Sequence, residues 1–219
     1  MKGEVMKKII WVFGESATGK LTLINNLYNG DQNTVNTFNM NDKTIQTCNI
    51  TLEDKNNDNY KTIIDTNIYD DSLMEEDGLY FNREEALLRR KGIMHDVDEF
   101  INSDSDVLLI KGQINDMNIK RGNIINIFLD KYSNRSDIQI EVYLLQVTDK
   151  ELLRSRIESK PWFKEFGNEE EQERLLNEIP LKQEKHKEEV INCFSKYNVK
   201  ISIIESLIND YRIMWKNNC

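Results

Sequence analysis

The chain has 219 residues, of which 39% are hydrophobic and 31% are charged, and its formal net charge is −9. This composition is that of a folded globular chain and excludes a wholly disordered one. No uninterrupted apolar stretch approaches the roughly 20 residues that a spanning helix needs, so we expect no membrane partner. The negative charge repels a phosphate-coated polymer at long range, which disfavours nucleic-acid binding but leaves a local basic cleft open.

The first part of the chain has a strand pattern followed by a helix pattern. Residues 8–13 (KIIWVF) form a continuous apolar run, typical of a buried strand, that ends at Gly14. From Lys20 onward, leucines recur at helical spacing. Residues 44–53 alternate and are rich in β-branched side chains, and a second such run follows over 60–65. We expect these two runs to pair as an antiparallel hairpin at one edge of a sheet.

The rest of the chain alternates predicted helices and strands. In chain order we predict a helix over 83–101, a strand over 107–111, a helix over 125–132, a strand over 138–147, helices over 150–159 and 168–196, a strand over 199–204 and a helical tail through Trp215. Two prolines mark expected breaks. Pro161 should end the helix over 150–159, and Pro180 should break the following helix.

Apolar strands that alternate with amphipathic helices favour a parallel sheet covered on both faces. The strands expected in that sheet cover 8–13, about 60–65, 107–111, 138–147 and 199–204. We therefore predict an α/β protein of three layers, with a mostly parallel five-stranded sheet and a single domain over residues 1–219.

The cysteines indicate the compartment. Cys48, Cys193 and Cys219 are odd in number and far apart, without a CxxC spacing. This pattern argues against a disulfide framework and against a zinc site. The first apolar run is too short, and too soon interrupted by Glu15, for a signal peptide. We expect a cytoplasmic protein, whose oligomeric state the sequence leaves open.

A glycine-rich turn joins the first predicted strand to the first predicted helix. Its sequence from Gly14 to Lys20, GESATGK, satisfies the phosphate-loop pattern G-x-x-x-x-G-K in the strand–helix context that the pattern requires. Backbone N–H groups in such a loop point inward, and the helix N-terminus and the lysine add positive charge. We predict that ATP or GTP binds there with Mg²⁺. The expected contacts are Gly14, Glu15, Ser16, Ala17, Thr18, Gly19, Lys20, Leu21 and Thr22.

The metal position departs from the usual pattern. Leu21 stands where a Ser or Thr hydroxyl normally holds Mg²⁺, so Thr22 or Thr18 is the alternative hydroxyl, unless water bridges to the metal. Asp65 closes the predicted strand over 60–65. A carboxylate there is expected to hold metal-bound water or to take a proton from an attacking hydroxyl. We therefore assign Thr22 and Asp65 to the metal, and Lys20 and Asp65 to catalysis.

Basic residues follow two of the later strands. Lys111 ends the strand over 107–111, where many phosphate-loop proteins carry an acid, and Asp116 is the nearest acidic alternative. Arg154 and Arg156 follow the strand over 138–147 and would meet a transferring phosphoryl group if their segment closes as a lid. Because residues two apart on a helix point apart, we expect Arg156 to reach the site and Arg154 to bind the acceptor or to pack at the hinge.

The remaining candidates are a group of basic residues in the helix predicted over 83–101 and the two histidines. A basic cleft formed by Arg83, Arg89, Arg90 and Lys91 would leave a polynucleotide acceptor open. His186 is expected on a solvated helix face. We assign no role to His186 or to His95.

The chain resembles small-molecule and nucleotide kinases of the phosphate-loop NTPase superfamily, similar to adenylate kinase. The resemblance rests on Gly14–Lys20, on the arginine-bearing segment after the fourth predicted strand and, loosely, on Asp65. It implies a phosphate-loop NTPase fold and transfer of the γ-phosphoryl group of ATP to a small acceptor, such as a nucleoside or a nucleotide. It also implies a substrate-binding insert at about 31–105 and a lid at about 149–180.

A weaker resemblance is to GTPases of the immunity-associated AIG type. GESATGKLTLINNL looks like their first motif, and TIQTCNITLEDKNNDNYKTIIDT looks like the strands before their DTPG. However, residues 65–68 lack the glycine that senses the γ-phosphate, and residues 146–149 stand where N/T-K-x-D would read guanine. A third interpretation is a nucleotide-binding regulatory protein with degenerate catalytic parts, with which Leu21 and Lys111 are both consistent.

Overall fold

The computed structural model describes residues 6–48, 74–76, 79–81, 83–117, 123–164 and 166–217. The strands among them are β1 (Lys7–Phe13), β2 (Ile45–Thr47), β3 (Met74–Glu76), β4 (Leu79–Phe81), β5 (Val107–Lys111), β6 (Ile138–Gln146), β7 (Lys200–Ser206) and β8 (Tyr211–Lys216). The helices are α1 (Lys20–Tyr28), α2 (Gln32–Thr37), α3 (Arg83–Ile101), α4 (Ile124–Tyr132), α5 (Lys150–Glu158), α6 (Pro161–Lys164) and α7 (Glu169–Phe194). A 3₁₀ turn covers Ile114–Met117.

One six-stranded sheet organises these elements, in the order β2-β5-β1-β6-β7-β8. In this sheet β2, β5, β1, β6 and β7 run parallel to one another, and β8 runs antiparallel to β7. β3 and β4 pair separately as a short antiparallel ribbon. Because β1 lies in the interior of the sheet, the loop after it emerges in the middle of the edge formed by the carboxyl ends of the parallel strands.

The core lies on both faces of the sheet, as β1 illustrates. Ile9, Trp11 and Phe13 pack into a cluster with residues of α3, α4 and α7. Ile10 and Val12 face the other way and pack with residues of α1, α2 and β8. A strand buried on both faces needs apolar side chains throughout, which explains the unbroken run in the sequence. The prediction of a three-layer α/β fold with a mostly parallel sheet is confirmed.

Among the described residues, β2 lies at the first edge of the sheet. Ile45–Thr47, which belongs to the run predicted over 44–53, pairs parallel with β5. The backbone and side chain of Asp106 bind Thr44, which fixes this parallel register next to β5. The predicted strand over 60–65, including Asp65, lies outside the described residues, so the hairpin stays a prediction. Among the described strands of the main sheet, β8 runs antiparallel to its neighbour and lies at the opposite edge.

The tail and Pro180 differ from the prediction, whereas α5 ends at Glu158, before Pro161, as predicted. Tyr211–Lys216 is a strand and not a helix, because Tyr211 and Ile213 alternate onto the apolar cluster beside β7. Pro161 begins α6, consistent with the preference of proline for the first position of a helix. Pro180 lies inside an unbroken α7, where burial of one long face outweighs the roughly 3 kcal/mol that an interior proline costs.

None of the helices among the described residues is both long and apolar enough to cross a membrane.

Candidate functional site

The loop between β1 and α1 has the backbone of a tight wrap. Gly14 has φ +146°, and a Cβ there would come within 2.6 Å of Thr18 Oγ1 and 2.7 Å of the carbonyl oxygen of Leu145. Gly19 has φ +90° and precedes the first residue of α1. Glycine is therefore required at the entry of the loop by space and favoured at its exit by backbone conformation.

Lys20 and Thr18 hold the loop from inside. The ammonium of Lys20 donates to the carbonyl oxygens of Gly14 at 2.6 Å and Glu15 at 2.8 Å. The fully buried Thr18 donates its hydroxyl to the same Glu15 carbonyl at 2.8 Å. Thr18 therefore helps to close the loop. Of the two threonines predicted as alternative hydroxyls for Mg²⁺, Thr22 is the one that lines the pockets.

A pocket of about 350 Å³ lies against the loop and the start of α1. Three lysines from separate parts of the chain line it: Lys20 on α1, Lys111 at the end of β5 and Lys160 just before α6. Trp162 of α6 covers one side. Three ammonium groups beside the loop and a helix N-terminus suit a polyanion such as a string of phosphates.

A second cleft of about 460 Å³ adjoins the first, and the two share Ala17, Gly19, Thr22 and Lys160. Its far wall is the turn between β7 and β8, residues 206–211, and its floor includes Asn26 of α1. The lining mixes amide, hydroxyl and carboxylate groups with apolar surface, so the cleft offers both hydrogen-bond donors and acceptors.

Arg156 and Arg154 are placed differently, although both belong to α5. Arg156 is half-buried in the second cleft, where it donates to Ser206 Oγ at 2.9 Å and to the carbonyl of Leu207 at 2.5 Å. Burial lowers the pKa of Arg156, but an arginine remains a cation. Arg154 lies outside both pockets and binds Glu173 and Glu158, whose hydrogen bonds raise its pKa.

Glu15 and His186 meet behind the loop, a contact that the sequence interpretation missed. His186 is buried on α7, contrary to the expected solvated face, and its Nδ1 lies 3.3 Å from Glu15 Oε1. Burial alone would raise the pKa of Glu15, but the contacts with His186, the Ser16 N–H and Lys20 together lower it. α7 therefore supports the loop through the contact between His186 and Glu15.

A buried ion pair supports the end of β5. The guanidinium of Arg89 forks onto both oxygens of Asp116 at 2.8 Å, and it also donates to the Lys111 carbonyl at 2.6 Å. Asp116 accepts a further bond from the Gln113 N–H at 2.8 Å. Asp116 is thus a structural anchor and not the acidic alternative for the metal, and Arg89 is buried and not part of an exposed basic cleft.

The described residues do not fit a protein-held Mg²⁺. Two hydroxyl side chains, those of Ser16 and Thr22, line the pocket beside the loop. Leu21 is exposed, and Lys111 occupies the strand end where an acid would stand. No carboxylate lines this pocket in the part of the chain that the structure describes. Because Mg²⁺ prefers carboxylate and phosphate oxygens, a cluster of lysines is a poor site for it.

No family model and no curated protein matches the sequence. Among solved structures, the chain is similar to a protein from Chloroflexus aurantiacus described as a "putative kinase", with 19% identity and a TM-score of 0.37. The similarity covers 78% of this chain and 75% of that chain. It is too distant to inform the function of the site.

Proposed function

We propose that the chain binds a nucleoside triphosphate at the loop 14–20 and transfers its terminal phosphoryl group to a small acceptor. The observation that carries the proposal is the pocket in which Lys20, Lys111 and Lys160 converge beside a strand–loop–helix turn. A single lysine beside a glycine turn is common on surfaces, whereas three lysines from distant parts of the chain that line one pocket favour an anion as its ligand.

The two adjoining pockets suit the two parts of a nucleotide, its phosphates and its nucleoside. The pocket with the lysines would hold the phosphates, with Ser16 and Gly19 N–H groups and Lys20 as donors. To receive them, Lys20 would exchange its present carbonyl partners, Gly14 and Glu15, for phosphate oxygens. The adjoining cleft, with its mixed polar and apolar lining, would hold the nucleoside. ATP and GTP both fit that description.

Transfer would depend on positioning and on charge stabilisation. Arg156 lies where the two pockets join, since its guanidinium would be 3.8 Å from a Cβ built on Gly19. If Arg156 exchanged the Leu207 carbonyl for the transferring group, its positive charge would stabilise the charge on that group. Asp65 remains our candidate for the base that accepts the proton of the attacking hydroxyl. The acceptor, a nucleoside or a nucleotide, would bind within the insert at about 31–105, and the segment at about 149–180 would close over it as a lid.

The test is a transfer assay with radiolabelled ATP and GTP against a panel of nucleosides and nucleotides. Wild type should move label from the γ-position to one member of the panel, and Lys20→Ala should not. Lys196→Ala is the matched control, since Lys196 is an exposed lysine beyond α7, at the other end of the sheet. Label found only as free phosphate would replace the kinase proposal with a hydrolase. Transfer that survives in Lys20→Ala would contradict the role of the loop.

A further inference from the structure

Lys111 stands at the end of β5 on the face of the sheet that carries α1. In the parallel pairing of β1 and β5, Val12 lies opposite Lys111. Val12 and Leu109, two residues before Lys111, both belong to the cluster packed against α1. Because side chains alternate along a strand, Lys111 extends from that same face, beside the N-terminus of α1. Lys111 there lines the pocket of about 350 Å³ beside the loop.

The backbone around Lys111 is fixed on three sides. The buried Arg89 donates to the Lys111 carbonyl, and its partner Asp116 accepts the N–H of Gln113. The Gly112 N–H donates to the Val12 carbonyl at 3.0 Å. A Cβ on Gly112 would lie 2.5 Å from the Phe13 ring, so the chain approaches β1 as closely as glycine permits. These contacts fix the position of the Lys111 backbone at the rim of the pocket.

Lys111 places a positive charge at the end of β5, whereas a bound metal ion needs a negative one there. An acid at this strand end would attract a divalent cation through its water shell, whereas Lys111 repels one and attracts phosphate directly. Lys20 and Lys160 share the pocket with it. Phosphate charge that Mg²⁺ would otherwise neutralise can therefore be neutralised by ammonium groups of the protein.

We propose that Lys111 is a phosphate-binding residue that takes over the role of the divalent cation in nucleotide binding, so that this site holds a polyphosphate without Mg²⁺. The inference rests on the proposed function and narrows it. The form of the nucleotide that this site recognises is its metal-free polyphosphate chain. The transfer assay described above tests separately whether the transfer step requires a metal.

The experiment is calorimetry with two probes, a non-hydrolysable ATP analogue and inorganic tripolyphosphate, each in Mg²⁺ and in EDTA. The variants are Lys111→Met, which keeps the aliphatic stem, and Lys111→Asp, which supplies the acid. Lys196→Met is the control for loss of one positive charge. Thermal unfolding of each variant verifies that it is folded, and Lys111→Asp provides a second reading if Lys111→Met proves unstable.

Wild type should bind both probes with similar affinity in Mg²⁺ and in EDTA. Lys111→Met should weaken binding in EDTA by about tenfold or more, the effect of losing one charge-assisted contact, while Lys196→Met should not. Lys111→Asp should bind only in Mg²⁺. Loss of wild-type binding in EDTA, together with equal affinities of Lys111→Met and Lys196→Met, would overturn the inference and leave the proposed function standing. Failure of wild type to bind either probe in either buffer would overturn both.

Discussion

Removing the carboxylate of Asp116 should destabilise the chain far more than removing any exposed acid. Asp116 and Arg89 are 1% and 4% exposed as side chains, and their fork consists of two N–O contacts of 2.8 Å. Burial alone would lower the pKa of Arg89, but its bonds to Asp116 raise it above the ordinary value. In Asp116→Ala the guanidinium would stay charged and buried and would lose the carboxylate that now accepts two of its hydrogen bonds.

The expected cost follows from that burial. Breaking a buried pair by removing one partner costs about 3–5 kcal/mol, because the remaining charge is left uncompensated. For a chain of this length, that loss should lower the melting temperature by roughly 6–20 °C. The Gln113 N–H would also lose its acceptor, which places the cost toward the upper end of the range.

The chain provides a matched control. Arg135 and Asp137 form the same fork, with N–O distances of 3.0 and 2.6 Å, but on the surface. Asp137→Ala should leave the melting temperature unchanged, since water screens an exposed pair. Urea unfolding followed by tryptophan fluorescence, with calorimetric melting as a second readout, measures both variants.

Two outcomes would refute the reasoning. One is an Asp116→Ala variant that melts within a degree or so of Asp137→Ala, since burial would then not decide the cost. The other concerns the double variant Arg89→Met with Asp116→Leu. Because it removes both charges, it should be more stable than Asp116→Ala, and a double variant that is less stable would mean that packing and not charge is lost.

Three further predictions concern the loop and its surroundings. Gly14→Ala should abolish nucleotide binding in calorimetry and lower the melting temperature, because its Cβ would overlap Thr18 and Leu145. Gly30→Ala carries the backbone strain of its φ of +70° but has open space around its Cβ, so it should bind normally. Arg156→Ala should reduce turnover by ~10³-fold with little change in nucleotide affinity, and Arg154→Ala, paired outside the pockets, should keep wild-type turnover. The pKa of Glu15 lies below its ordinary value of 4.5 in the folded chain, so its contribution to stability is complete above that value and is lost as the pH falls through the folded-state pKa. Urea unfolding across acid pH should therefore show a flatter acid limb for Glu15→Gln, and an unaltered limb would mean that Glu15 contributes nothing.

The parts of the fold that were predictable are those with a local signature. The apolar run of β1 followed by a glycine turn and helical leucines fixes a strand, a tight loop and a helix within about twenty residues. The tail was misassigned because Tyr211, Ile213 and Trp215 are few and close, so that a six-residue strand and a short helix look alike. Its pairing with β7 decides between them, and that contact is a property of the folded chain.

The position of His186 could have been read from spacing. Ile179, Gln183, His186, Val190 and Phe194 recur at intervals of three and four residues and form the buried face of α7. The charged residues that flank His186 hid this pattern.

The Arg89–Asp116 pair has no comparable signal, because its members are 27 residues apart and belong to different elements. The same holds for the convergence of Lys111 and Lys160 on the loop, which the sheet order produces and no local pattern records.

The most direct measurement of the central claim is calorimetric titration of wild type, Lys20→Ala and Lys196→Ala with non-hydrolysable analogues of ATP and GTP. Wild type and Lys196→Ala should bind at least one analogue with the same affinity. Lys20→Ala should not bind it, since it lacks the ammonium that closes the loop now and would contact phosphate on binding. Equal affinity in wild type and Lys20→Ala would contradict the assignment of residues 14–20 as the nucleotide site.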